Sequence, residues 1–140
     1  MSVERIKELG RLSVEEIWNK GNTDIIPEVV APDYVYHQIN GQDTKGIEGY
    51  KQMVVNMRTA IPDLRYTIDD SIIEGNMTAA RLTLTGTFSG KIGDVELKDK
   101  KIIIKSAIFS RVEGDKVVEG WGYSDSLSLY QQLGVSPPTS

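Results

Sequence analysis

The sequence predicts an α+β fold: a curved antiparallel sheet with N-terminal helices packed on its concave side, forming a cone-shaped barrel. Three observations predict it. Apolar residues recur at helical spacing between Val3 and Ala60. From Leu64 onward the period changes to two. Tight turns, EGN at 74–76 and EGDK at 113–116, join the alternating runs as hairpins, which makes neighbouring strands antiparallel. Helices gathered early in the chain and strands gathered late are the α+β arrangement. A strongly bent sheet with helices across its hollow side leaves a cone, and a cone can hold a small ligand.

Each element has its own signal. Over residues 3–20, Ile6, Leu9, Ile17 and Trp18 share one stripe, with charged residues elsewhere. SVEE at 13–16 is a capping-box pattern just after Gly10, so this segment reads either as one helix or as a helix restarted at Ser13. Gly21 and Asn22 end it. A short helical turn from Asp24 to Val30, closed by Pro32, precedes a strand from Tyr34 to Ile39. NGQDTKG reads as loop, and Ile47 to Ala60 as a second long helix stopped by Pro62. Leu64, Tyr66, Ile68 and Ile72 alternate with polar residues in the next strand, and Ala80, Leu82, Leu84 and Phe88 in the one after. GKIGDVELKDKK is a flap or a short hairpin. Ile102, Ile104, Ile108 and Val112 mark a third long strand, and Val117 to Tyr123 the last. One domain over 1–135 and a frayed tail over 136–140 are expected.

Composition narrows the function classes. Sixteen basic against twenty acidic residues give a net charge of −4, which signals no basic surface for nucleic acid. The chain has no cysteine and one histidine. Disulfides, thiolate nucleophiles and Cys- or His-rich metal sites are thereby excluded. No glycine pattern opens a helix as a dinucleotide site does, and no nucleophile elbow is present. We expect no cofactor and no metal. No apolar run approaches the roughly 20 residues of a membrane span. The opening MSVERIKELG is charged, unlike a secretory leader, so the expected location is cytoplasmic.

The chemistry candidates cluster late in the chain. If extension continues through the last strand, Glu119, Trp121, Tyr123 and Asp125 point to one face, and Val118, Gly120, Gly122 and Ser124 to the other. A carboxylate against an apolar aromatic wall loses hydration and becomes a stronger base. Asp125 is a candidate general base on that ground. By position alone it reads first as the cap of the helix that begins at Ser126. His37, in YVYHQ, shares parity with Val35 and Ile39 and reads as a hydrogen-bonded histidine or as a substrate contact. Trp18, Met53, Met57, Phe109, Trp121 and Tyr123 are candidate walls of a ligand cavity, or plain core. Ile103, Ala107 and Phe109, beside Lys101 and Lys105, make the second sheet face more apolar than a purely solvated one. A homodimer or higher homo-oligomer is therefore expected.

The pieces EEIWNKGN, VAPDYVYHQ, GIEGYKQMV, IPDL, GTFSG and VVEGWGYSDSLSLYQQLG occur in an order that resembles the SnoaL-like polyketide cyclases. These are a branch of the nuclear-transport-factor-2-like cone folds. The resemblance spans nearly the whole chain. It implies an often oligomeric, cofactor-free enzyme that closes a ring by intramolecular aldol condensation of a small hydrophobic carbonyl substrate. It also implies that Asp125 is the general base and that His37 matches the family's histidine. A non-catalytic binder of the same kind of ligand, or an isomerase or epoxide hydrolase on the same cone, are the alternatives. The chain departs from the family at Phe88, where GTH is common, and at Gly120 and Gly122, which flank Trp121 where HWD is usual. These departures imply fewer groups for proton transfer.

Overall fold

The computed structural model describes residues 2–39 and 41–137. Helix α1 (Val3–Arg11) runs without a break into a π-helical stretch (Leu12–Asn19). A 3-10 turn (Thr23–Ile25) and α2 (Ile26–Val29) follow, then β1 (Val30–Gln38), β2 (Asp43–Lys45) and α3 (Gly46–Ala60). The second half is β3 (Arg65–Glu74), β4 (Met77–Ile92), β5 (Val95–Glu113), β6 (Lys116–Ser124) and α4 (Ser126–Leu133). The GKIGDVELKDKK segment continues β4 and β5 as the tip of one long hairpin. Part of the expected frayed tail, residues 138–140, lies outside the described residues.

Ser2, not Ser13, caps the first helix, accepting from the Arg5 N–H at 3.1 Å. Ser13 leaves no new start because its hydroxyl is engaged elsewhere, 2.9 Å from the Tyr50 hydroxyl. The sheet order is β2-β1-β6-β5-β4-β3. Hairpins make β3 through β6 antiparallel, whereas β1 joins β6 in parallel because helices separate it from the strands it meets. The expected barrel is an open curved sheet. Closure would require β2 to pair with β3, and β2 is only three residues long.

The core falls into two parts. Ile17, Ile26, Val29 and Val54 centre one where the helices meet β1, and Ile61, Leu64, Leu84, Ile104 and Leu133 form the other. Trp18 packs against both. Arg58 of α3 donates to the carbonyls of Trp18 and Asn19 at 2.9 and 2.8 Å, satisfying acceptors that a helix end leaves open. The Asn19 amide holds the Tyr66 backbone in both directions, accepting from its N–H at 2.7 Å and donating to its carbonyl at 3.0 Å. The helical layer is thereby fixed over β3, and the space between them becomes the site.

Candidate functional site

A cavity of about 620 Å³ lies between the helices and the sheet, within the range of small-molecule sites. A smaller space of about 240 Å³ adjoins it, bordered in common by Tyr66, Ser106, Ser124 and Ser126. Among the described residues the lining of the larger cavity contains no Asp, Glu, His, Lys or Arg. Its polarity comes from hydroxyls and amides, above all from Tyr34, Tyr36, Tyr50 and Tyr66. Burial pushes every one of these phenols up, Tyr66 to about 12, because a phenolate would lose its hydration. They are neutral hydrogen-bond donors at ordinary pH.

Strand parity arranges two of them. Tyr34 and Tyr36 alternate with Val35 and His37 along β1, so both project inward. Neighbouring β6 offers them glycine. A Cβ added at Gly120 would overlap the Tyr34 hydroxyl, and one added at Gly122 would overlap that of Tyr36. The phenols occupy space that any side chain at 120 or 122 would take.

The helical wall contributes a second polar feature. Tyr50 of α3 accepts from Trp18 Nε1 at 2.9 Å, and its oxygen lies 2.9 Å from Ser13 Oγ. In an α-helix residues five apart stand about 140° apart around the axis. The wider π turn, with its i to i+5 bonding, brings Ser13 and Trp18 toward one hydroxyl. Trp18 also meets the Tyr66 ring edge-on at 5.7 Å, and Tyr34 meets Tyr50 at 5.5 Å.

Of the residues singled out in the sequence, Trp18, Met53, Met57 and Tyr123 border the cavity. Phe109, Trp121, His37 and Asp125 are absent from its lining. The glycine-bearing face of β6 is the inner one, so Glu119 and Trp121 lie on the outer face. Parity sorts residues into two faces but does not say which is concave. His37 stacks on Trp121 at 5.4 Å between ring centres. It lies 2.9 Å from Asp43 through Nδ1 and 2.6 Å from Glu119 through Nε2. Those two carboxylates, Glu119 foremost, raise its pKa. Arg111 bonds Glu119 at 3.1 Å and also pairs with Glu113. Phe109 and Tyr123 make an edge-on pair at 6.2 Å and are 43% and 44% exposed.

Asp125 follows the last strand residue and is exposed. Its Oδ1 accepts from the Ser128 N–H at 3.1 Å, capping α4. No described residue bonds its Oδ2. Its chain neighbours Ser124 and Ser126 border both spaces, while Asp125 itself lines neither. The residues that sequence reasoning passed over are Ser13 and the four tyrosines. Their signal was present in part, since Tyr34 and Tyr36 alternate in register opposite His37, and glycines stand at 120 and 122.

An open, curved α+β sheet holding a largely apolar cavity under its helices defines a cone-like fold with room for a small molecule. The chain belongs to the SnoaL-like polyketide cyclase family, whose model matches residues 9–133. Solved structures agree on the fold. A SnoaL-like protein of Jannaschia sp. CCS1 superposes with a TM-score of 0.85 at 18% identity, covering 98% of each chain. TsrD of Streptomyces laurentii gives 0.85 at 23% identity, over 97% of this chain and 99% of that one. AclR of Streptomyces galilaeus, a proposed hydroxylase, gives 0.82 at 24% identity, over 99% and 91%. No curated protein matches the chain.

Proposed function

We propose that the chain binds an uncharged, largely apolar carbonyl compound of polyketide-like size in its cone. The observation that carries this reading is the lining: aliphatic, aromatic and hydroxyl groups, with no charged side chain among the described residues. A buried ionic ligand would find no counter-charge there, and desolvating an unpaired charge is costly. Tryptophan fluorescence titration with 2-acetylnaphthalene and 2-naphthoate tests it, since Trp18 lines the cavity. The ketone should bind saturably and at least tenfold more tightly than the carboxylate. Equal affinity for the two would sink the neutral-ligand reading.

Aldol-type ring closure is the second reading, favoured by one feature of Asp125. Asp125 has one carboxylate oxygen committed to the helix cap and one without a partner among the described residues. That oxygen would take a proton from carbon next to a ligand carbonyl. The resulting carbanion, stabilised as an enolate, would attack a second carbonyl of the same molecule, and the new alkoxide would recover the proton. An epoxide-opening reaction fits less well, because it needs an acid as well as a base around a water, whereas the aldol reading needs only the one base.

A further inference from the structure

The hydroxyls of Ser13 and of the four cavity tyrosines separate into those with internal partners and those without. Tyr50 and Ser13 bond each other, and Tyr50 also accepts from Trp18. Tyr34, Tyr36 and Tyr66 have no hydroxyl partner among the described residues, and of these Tyr34 and Tyr36 stand together on one strand. Tyr34 is nevertheless only 2% exposed. A buried phenol O–H without an acceptor is expensive, and native interiors rarely tolerate one. No fully enclosed side-chain polar atom of the described residues lacks a partner. These two hydroxyls therefore open onto the cavity they line.

Their placement is enforced from several sides. The Tyr34 ring is held edge-on by Tyr50 at 5.5 Å. Gly120 and Gly122 leave the floor beneath the two hydroxyls free of side chains. The residues are two apart on one strand, so their side chains stand side by side on the same face. Each presents an O–H in a site that excludes charge, where a hydrogen bond is stronger than in water.

We propose that Tyr34 and Tyr36, lying over Gly120 and Gly122, form a paired donor site for a carbonyl or enolate oxygen of the cavity's ligand. This rests on the reading that the cone binds a neutral carbonyl compound, and it adds which end of that compound is recognised. The occupant is an aryl or polycyclic ketone with its oxygen toward β1 and β6. Burial holds both phenols protonated, so the site donates throughout the neutral range and stays uncharged. It tightens on an oxygen that gains negative charge, because a charged acceptor strengthens the bond.

The test compares 2-acetylnaphthalene with 2-ethylnaphthalene, which has nearly the same shape and no oxygen. Tyr36→Phe should weaken the ketone roughly 3- to 10-fold, the usual scale of one hydrogen bond, and leave the hydrocarbon unchanged. Tyr34→Phe with Tyr36→Phe should remove the preference for the ketone. With carbonyl-labelled ketone, difference infrared should show the bound C=O stretch moving to higher frequency in each variant. Gly122→Ala, whose new methyl displaces the Tyr36 hydroxyl, should reproduce the Tyr36→Phe result without touching the tyrosine. Unchanged ketone affinity and an unmoved C=O band in the double variant would overturn the donor site while leaving the binding reading intact. Failure of 2-acetylnaphthalene to bind saturably to the unmodified protein would overturn the binding reading and the donor site with it.

Discussion

The two faces of β6 are made from opposite materials. Its inner face is glycine at 120 and 122, roofed by phenols from β1. Its outer face is Glu119 and Trp121, tied to His37 and Arg111. Charges are stable on the outer face because water reaches them and opposite charges meet there. They are missing from the described lining, where neither condition holds. A strand with period two can serve both demands at once, and the absence of a side chain does as much for the cavity as its presence does outside.

The largest expected effect tests whether chemistry occurs at Asp125. Asp125→Asn should preserve the α4 cap, since Asn caps about as well as Asp, while removing the group that takes a proton. Binding of 2-acetylnaphthalene should be unchanged. Turnover of an intramolecular aldol substrate should fall by roughly 100-fold or more, the scale of general base catalysis. Turnover at the parent rate would leave the cone a binding site alone.

Next in size is the helical wall. Tyr50→Phe removes the acceptor of the Trp18 indole N–H and the partner of Ser13. Leaving a buried donor unsatisfied costs about 1–3 kcal/mol. Urea denaturation should show that loss, whereas Tyr36→Phe, whose hydroxyl has no partner among the described residues, should cost much less. Similar losses in both would mean that the two hydroxyls are not distinguished as the inner wall suggests. The outer face makes a separate prediction. Ile103 is 58% exposed and shares its strand face with Phe109. We expect that surface to close on a second copy, giving twice the 15.6 kDa chain mass in light scattering. Phe109→Glu should return the monomer, and a monomeric parent protein at the same concentration would refute the pairing.

Much of the fold was legible because it depends on period. The switch from helical spacing to alternation places the strands, and the turns at 74–76 and 113–116 fix the hairpins. The π-helical stretch was not legible. Ser13 reads as a cap until Tyr50, far away in sequence, claims its hydroxyl. The parallel pairing of β1 with β6 was likewise a long-range outcome. At the site, alternation correctly grouped Glu119 with Trp121, but which group faces inward depends on what lies across the sheet. Tyr34 and Tyr36 fit inward only because 120 and 122 are glycine, a relation between two distant segments. Read locally, GWG looks like lost chemistry, whereas in three dimensions phenol hydroxyls stand over those glycines.

The smallest expected effect belongs to the outer network and has a definite sign. His37 faces Asp43 and Glu119, with Arg111 and Glu113 beyond and Trp121 against its ring. Its pKa is raised above the ordinary value, so the folded protein holds a proton that the unfolded chain releases near pH 6.5. The histidine's contribution is complete below that pH and is lost as pH rises through the raised value. Glu119 is shifted downward, by His37 first, so its contribution is complete above about 4.5 and is lost as pH falls through its lowered value. Between roughly 4.5 and 6.5 both contributions are present. Thermal midpoints measured at pH 5.5 and 8.5 should therefore fall toward the alkaline side, and the fall should be smaller in His37→Gln. These groups are solvent-accessible and screened, so the difference should also shrink in high salt. Ketone binding in the cone should not follow the same curve, because the described lining has nothing that titrates in this range. An affinity that tracked the His37 transition would mean that the two faces of the sheet are coupled.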